Sequence, residues 1–130
     1  MPSIFTRIVN GEIPAWKVAE NAHCLAFLDI NPLAEGHTLV IPKMEVDNLW
    51  DLEPELFTEL MRFAHQVARA LGKVSSATKV GMAVIGLEVP HAHIHLVPIN
   101  GVNDIDFRKE KLKFSPEEFK AIADRIASAL

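Results

Sequence analysis

Residues Pro90 to Pro98 read Pro-His-Ala-His-Ile-His-Leu-Val-Pro, and no other stretch constrains the chain so tightly. In an extended strand successive side chains point to opposite faces, so His91, His93 and His95 share one face while Ala92, Ile94 and Leu96 occupy the other. The apolar face needs a core to pack on. The two prolines bracket the run, because proline cannot donate within a central ladder. The spacing thus predicts a strand buried on one side, with three imidazoles gathered on the other. Those three are half of the six histidines in the chain.

Two chemistries suit such a row. Neutral imidazole is the commonest metal ligand, but at a rise of about 3.3 Å per residue the outer two backbones lie roughly 13 Å apart, awkward for one ion with Zn–N bonds of about 2 Å. A further ligand from Cys24, His37 or an acidic residue stays open, although no other stretch has ligand spacing. The alternative is nucleophilic catalysis. The central imidazole attacks phosphorus, and its neighbours orient it and donate hydrogen bonds to the phosphate oxygens. At neutral pH an imidazole supplies an unprotonated nitrogen without the activating base that a serine needs. The third reading, a polar face of an ordinary strand, leaves the strict alternation unexplained.

The segment His91-Ala92-His93-Ile94-His95-Leu96-Val97 resembles the signature of the histidine triad (HIT) superfamily of hydrolases and transferases. The likeness extends beyond it. Residues 4–15, from Ile4-Phe5-Thr6 to Ile13-Pro14-Ala15, resemble the amino-terminal segment of the Hint-like branch. Cys24-Leu25-Ala26-Phe27-Leu28-Asp29-Ile30-Asn31-Pro32 and Gly36-His37-Thr38-Leu39-Val40-Ile41-Pro42-Lys43 resemble its next two strands. The resemblance implies a single HIT domain over 1–130 and an α+β fold with two main helices on a five-stranded antiparallel sheet. Two such domains would pair as a homodimer with a ten-stranded sheet. The implied activity is that of a nucleotide phosphoramidase, a dinucleotide hydrolase or a nucleotidyl transferase working on a purine nucleotide. His93 would be the nucleophile at the α-phosphorus, with His91 and His95 positioning the phosphate and stabilising its charge, and no cofactor or metal would be required.

Composition sets wider bounds. A chain of 130 residues with 49% hydrophobic content suits one globular domain with a real core. No apolar run approaches the roughly 20 residues that cross a bilayer, and no secretory signal opens the chain, so the expectation is a cytoplasmic protein with no membrane partner. A formal charge of −4 argues against general nucleic-acid binding, which requires a basic face, but permits a small anionic ligand held by local groups. The lone Cys24 fits a reducing compartment and a small buried role better than a reactive thiol.

Along the chain, Ile4, Phe5, Ile8 and Val9 have the spacing of a short helix that ends at the Asn10-Gly11 turn. These side chains either cover a core or, as the resemblance implies, Phe5 and Ile8 wall a nucleobase pocket. In some members of the family a zinc site includes cysteines in this region; Ser3 and Thr6 offer none, which implies no structural zinc. Strands are expected at 16–19, 24–29, 38–42 and 79–85. In the second of these, Asp29 shares a face with Phe27. Asp29 before Asn31-Pro32 is ordinary turn chemistry, yet the resemblance gives it the ribose hydroxyls to bind, with Phe27 beside it. His37, next to a glycine turn, reads as structural.

Leu56, Leu60, Phe63, Val67 and Leu71 predict a helix from Pro54 to Leu71, closed by Gly72. Its Met and Phe positions read as core or dimer contacts. Ser115-Pro116-Glu117-Glu118 predicts a capping box opening a second helix. Two departures from the family pattern stand out. Glu45 occupies the place of a histidine that many relatives carry, and a carboxylate there would repel phosphate unless protonated or turned away. Leu87 and Glu88 replace a polar pair that touches the phosphate; Glu88 either protonates a leaving group or faces water. These departures strengthen the case for a competing function, a nucleotide-binding or protein-interaction module of the same fold that has lost hydrolysis, and a metalloenzyme is the third class.

Overall fold

The computed structural model describes residues 1–130. In chain order its elements are α1 (Ile4–Val9), β1 (Lys17–Glu20), β2 (Cys24–Leu28), β3 (Thr38–Pro42), α2 (Pro54–Val74), β4 (Lys79–Ala83), β5 (Ile94–Ile99) and α3 (Pro116–Ala127). Two single turns of 3-10 helix, Leu49–Asp51 and Val102–Asp104, join them. β2 and β3 are buried at every position, and strands of that composition need cover on both faces.

The strands form one antiparallel sheet in the order β1-β2-β3-β5-β4. Alternation along each strand sorts the side chains into two layers. Cys24, Ala26 and Leu28 of β2, Val40 of β3, and Ile94 and Leu96 of β5 pack with Leu60, Phe63, Val67 and Leu71 of α2 and Phe119, Ile122 and Ile126 of α3. On the other face Leu25, Phe27, Leu39 and Ile41 meet Phe5 and Ile8 of α1 in a smaller cluster. The histidines lie on this second face, and Ala92, Ile94 and Leu96 pack into the large core as their alternation requires. Cys24 is buried in that core, and desolvation pushes its thiol up to about 11.

The helices carry their own start signals. Ser115 accepts from the backbone N–H of Glu118 while Glu118 accepts from that of Ser115, the reciprocal cap expected from the sequence. α2 begins with Pro54 at its first position, but it runs past Gly72 to Val74. Gly72 keeps a helical backbone, and the turn closes only where Ser75 N–H reaches the Leu71 carbonyl. Helix interiors tolerate glycine at about 1 kcal/mol, so glycine alone does not stop a well-packed helix.

The larger correction concerns the histidine segment. β5 starts at Ile94, so only His95 of the three lies in regular strand. Pairing with β3 ends at Val40↔Ile94 and pairing with β4 at Ala83↔His95, which leaves residues 91–93 without a ladder on either side. Ala92 N–H instead reaches the Val46 carbonyl at 2.7 Å, and His91 N–H turns back to Val89 O at 2.8 Å. The other strand limits differ by smaller amounts: β1 covers 17–20, β2 stops at Leu28, and β4 stops at Ala83.

Gly36 turns the chain into β3 with a φ of +97°, and a Cβ there would sit 2.8 Å from Leu71 Cδ1. Both the backbone region and the space exclude a side chain. Gly36→Ala is expected to lower stability by about 1–3 kcal/mol, read as a reduced urea midpoint. A wild-type midpoint would show that this turn is not constrained.

Candidate functional site

The three imidazoles are nearly covered, His91 being 0%, His93 7% and His95 8% exposed. A ring nitrogen that is itself fully covered needs a partner, because an unpaired polar atom away from water is costly. No buried side-chain nitrogen or oxygen in the protein lacks a hydrogen-bond partner. Pairing at each ring then fixes its tautomer.

His91 has Nε2 2.7 Å from the Pro42 carbonyl oxygen. That oxygen can only accept, so Nε2 carries the proton and Nδ1 the lone pair. Nδ1 accepts from the Ser3 hydroxyl at 2.8 Å. Both nitrogens are thus spent on the protein, which leaves His91 no ring N–H for a phosphate. Its link to the next histidine runs through its backbone: His93 Nδ1 lies 2.8 Å from the His91 carbonyl oxygen. By the same logic His93 holds its proton on Nδ1 and presents an unshared pair at Nε2.

His95 is set from further away. The backbone N–H of Leu33 donates to His37 Nδ1 at 2.9 Å, so the proton of a neutral His37 sits on Nε2. That atom is 3.0 Å from His95 Nδ1 and donates to it, which places the remaining proton of His95 on Nε2. Burial keeps His37 and His95 neutral. Desolvation brings His37 down to about 4, and desolvation, with the repulsion that a proton on His93 or His37 would add, brings His95 down to about 3. His91 is lowered as well, chiefly by burial. His37, which the sequence suggests is merely structural, is therefore part of the arrangement.

Aromatic rings close the site from two sides. Phe5 of α1 stands edge-on to His93 at 5.0 Å, to His91 at 5.8 Å and to Phe27 at 5.6 Å between centroids. Phe107 meets His95 at 4.7 Å and His37 at 6.2 Å. Phe27 and Ile8 are buried in the same cluster as Phe5. Phe107 had no sequence signal, since residues 102–113 show no periodicity. A cavity of about 480 Å³ lies elsewhere, between α2, β1 and the last two residues.

Asp29 is mostly buried beside this group. Its Oδ1 accepts from Asn31 N–H at 2.8 Å, the expected turn bond, and its Oδ2 is 3.6 Å from His37 Nε2. Burial raises its pKa, opposed first by the Asn31 N–H and also by the charge of Lys111, and assisted by that of Glu88. Glu88 itself is exposed and pairs with no protein group. Glu45 is turned away from the row: its Oε1 accepts from Ser3 N–H and from the Thr6 hydroxyl, each at 2.6 Å. Those bonds hold its carboxyl below the ordinary range. Oε1 is thus engaged by the amino end of α1.

The chain is similar to known proteins over nearly its whole length. A model of the HIT domain matches residues 10–101. Adenosine 5'-monophosphoramidase of Schizosaccharomyces pombe is 35% identical over 132 residues, covering 100% of this chain and 99% of that protein. The crystal structure of a Hit-like protein from Bartonella henselae, described as involved in cell-cycle regulation, superposes with a TM-score of 0.86 at 30% identity, covering 98% of this chain and 96% of that one. A zinc-bound histidine triad family protein from Mycobacterium smegmatis gives a TM-score of 0.80 at 29% identity, covering 97% and 91%.

The metal in that last relative raises the question of fit here. Around α1 the available donors are the Ser3 and Thr6 hydroxyls, Glu45 and His91; zinc sites are built from thiolate, imidazole and carboxylate, and neutral hydroxyls are a poor substitute. This donor set does not fit zinc. Asp29, His37 and His95 bring ligand atoms within 4.8 Å of one another, but His37 has already committed one nitrogen to Leu33 and the other to His95. Their own hydrogen bonds close that cluster.

A pH dependence follows from the buried rings. In the unfolded chain they bind a proton near 6.5, whereas folded His37 and His95 do so only near 4 and 3. Between those limits the unfolded state holds more protons, so stability is full above about 6.5 and declines as pH falls through 4. His37→Gln removes one of these groups and is expected to flatten the decline in urea midpoint between pH 7 and 4. A variant whose stability falls as steeply as that of the wild type would contradict the assignment.

Proposed function

The chain belongs to the HIT domain family, and from that membership we propose that it is a hydrolase or nucleotidyl transferase acting on the α-phosphate of purine nucleotide phosphoramidates or dinucleoside polyphosphates. The observation that carries this reading is the protonation pattern at His93, with Nδ1–H committed to the His91 carbonyl and Nε2 free to attack. The phosphoramidase name of the S. pombe relative supports the substrate class.

In this scheme Nε2 of His93 forms a bond to the α-phosphorus as the bond to the leaving nitrogen or oxygen breaks. The leaving atom departs with a proton taken from solvent, since a neutral His95 cannot give up its only ring proton; its uncommitted Nε2–H instead donates to the charged phosphate oxygens and stabilises them. Water then attacks the nucleotidyl-histidine and regenerates the free ring; an acceptor alcohol in its place would make the reaction a transfer. His91 acts as a positioning residue through its carbonyl. Phe5, Ile8 and Phe27 supply apolar walls for the base, and Asp29 accepts from the ribose hydroxyls. Glu88, unpaired in the loop before the triad, is the side chain free to meet a leaving group. No step in the scheme calls for a metal or cofactor.

The functional unit proposed is a homodimer of single HIT domains spanning 1–130. β4 is an edge strand with one side unpaired, and Met82, Val84 and Ile85 are exposed along and just beyond it. A second copy at that edge would extend the sheet to ten strands and cover those side chains. No helix is long and apolar enough to cross a membrane, and with the net charge of −4 the proposed setting is cytoplasmic, without nucleic-acid or membrane partners.

Two substitutions test the assignment. His93→Ala is expected to reduce turnover of adenosine phosphoramidate by about 10³-fold or more while AMP binding stays measurable by calorimetry. Unchanged turnover would remove His93 from the mechanism. Asp29→Asn is expected to raise KM roughly tenfold for the ribonucleotide but little for its 2'-deoxy analogue, because a charged acceptor is lost from one hydroxyl pair. Equal effects on both substrates would place Asp29 outside the ribose site.

A further inference from the structure

Glu45 lies on an exposed turn after β3, yet it is bonded to two groups at the amino end of α1, and those groups lead directly to the triad. Oε1 accepts from Ser3 N–H and from the Thr6 hydroxyl, both at 2.6 Å. With its own proton given to Glu45, the Thr6 hydroxyl cannot also donate to the ring of His91, 3.3 Å away. That duty falls to Ser3, whose Oγ accepts from Thr6 N–H at 3.0 Å and has one proton to give. It gives that proton to His91 Nδ1 at 2.8 Å, and the His91 Nε2–H is left to meet the Pro42 carbonyl.

We propose that Glu45 is a positioning residue, a carboxylate clamp that seats α1 and fixes the ring position and backbone of His91, the residue whose carbonyl holds the ring of His93. The sequence of links is Glu45 to Ser3 and Thr6, Ser3 to the His91 ring, and the His91 carbonyl to His93 Nδ1. The same turn grips the row a second time, through the Val46 carbonyl and Ala92 N–H. Because Phe5 is carried on α1 next to the Ser3 cap and stands edge-on to His93 at 5.0 Å, the clamp also sets the aromatic wall. The consequence is a site organised by charge-assisted hydrogen bonds at the very place where the donor set does not suit zinc. Part of this inference, its effect on turnover, rests on the function proposed above; its effect on His91 does not.

Removing the carboxylate frees the Thr6 hydroxyl to compete with Ser3 for Nδ1 and leaves Ser3 N–H without its charged partner. Glu45→Gln keeps an accepting oxygen, whereas Glu45→Ala keeps none. The test reads the ring nitrogens of His91 by ¹⁵N NMR together with kinetics on adenosine phosphoramidate. In E45A the Nδ1 resonance of His91 is expected to shift as its Ser3 donor loosens, while Pro42 keeps the proton on Nε2, and KM is expected to rise roughly tenfold, with a smaller change in kcat; E45Q is expected to recover most of both. His91 signals in E45A identical to those of the wild type would overturn the proposal, whether or not the melting temperature falls. If the wild-type protein turned over no nucleotide donor, the functional reading would fail while the His91 signals still decided this one.

Discussion

The hydrogen bond from His93 Nδ1–H to the carbonyl oxygen of His91 is the constraint on which the rest of the site depends. A neutral imidazole has one proton, and committing it to one nitrogen leaves the other as a base and nucleophile. For the His91 carbonyl to play this part it must be free of the sheet ladder. The backbone meets that condition by leaving regular pairing before Ile94, with Ala92 held by Val46 rather than by a neighbouring strand. A fully laddered strand would have kept the alternation of faces but engaged the carbonyl elsewhere. The irregularity just before β5 is what turns a row of histidines into an oriented one.

Burial does the remaining work. Imidazoles withdrawn from water lose affinity for a second proton, and His37 and His95 fall well below neutrality. Neutral rings in a chain of hydrogen bonds then have defined donors and acceptors all the way from the Leu33 N–H to the Nε2–H of His95. The sheet makes this possible by having two covered faces: α2 and α3 bury one, and α1 with Phe107 buries the other. Stability of the large core and polarity of the small site are thereby kept on opposite sides of the same strands.

Much of this was legible in the sequence, for identifiable reasons. Alternation at Ala92, Ile94 and Leu96 predicted which face meets the core, because side-chain direction follows the pleat whether or not the ladder is complete. The caps of α3 and the stripe of α2 are local signals and were read correctly, save that Gly72 did not end its helix. What could not be read were partners distant in the chain. His37 and His95 are 58 residues apart, and Ser3 and His91 are 88 apart, so no periodicity links them. Phe107 sits in a segment without pattern, and its position is a product of the tertiary fold alone. Glu45 looked like a misplaced charge because its true partners, Ser3 and Thr6, are brought to it only by the docking of α1.

The central proposal is chemical: that one imidazole nitrogen, at Nε2 of the middle histidine, becomes bonded to phosphorus during turnover. Rapid quenching in alkali after mixing the protein with a radiolabelled adenosine phosphoramidate, followed by peptide mapping, observes that bond directly. The account predicts a nucleotidyl adduct that survives base, is released by mild acid and maps to His93. Label on another residue, or steady turnover with no adduct at any quench time, would contradict it.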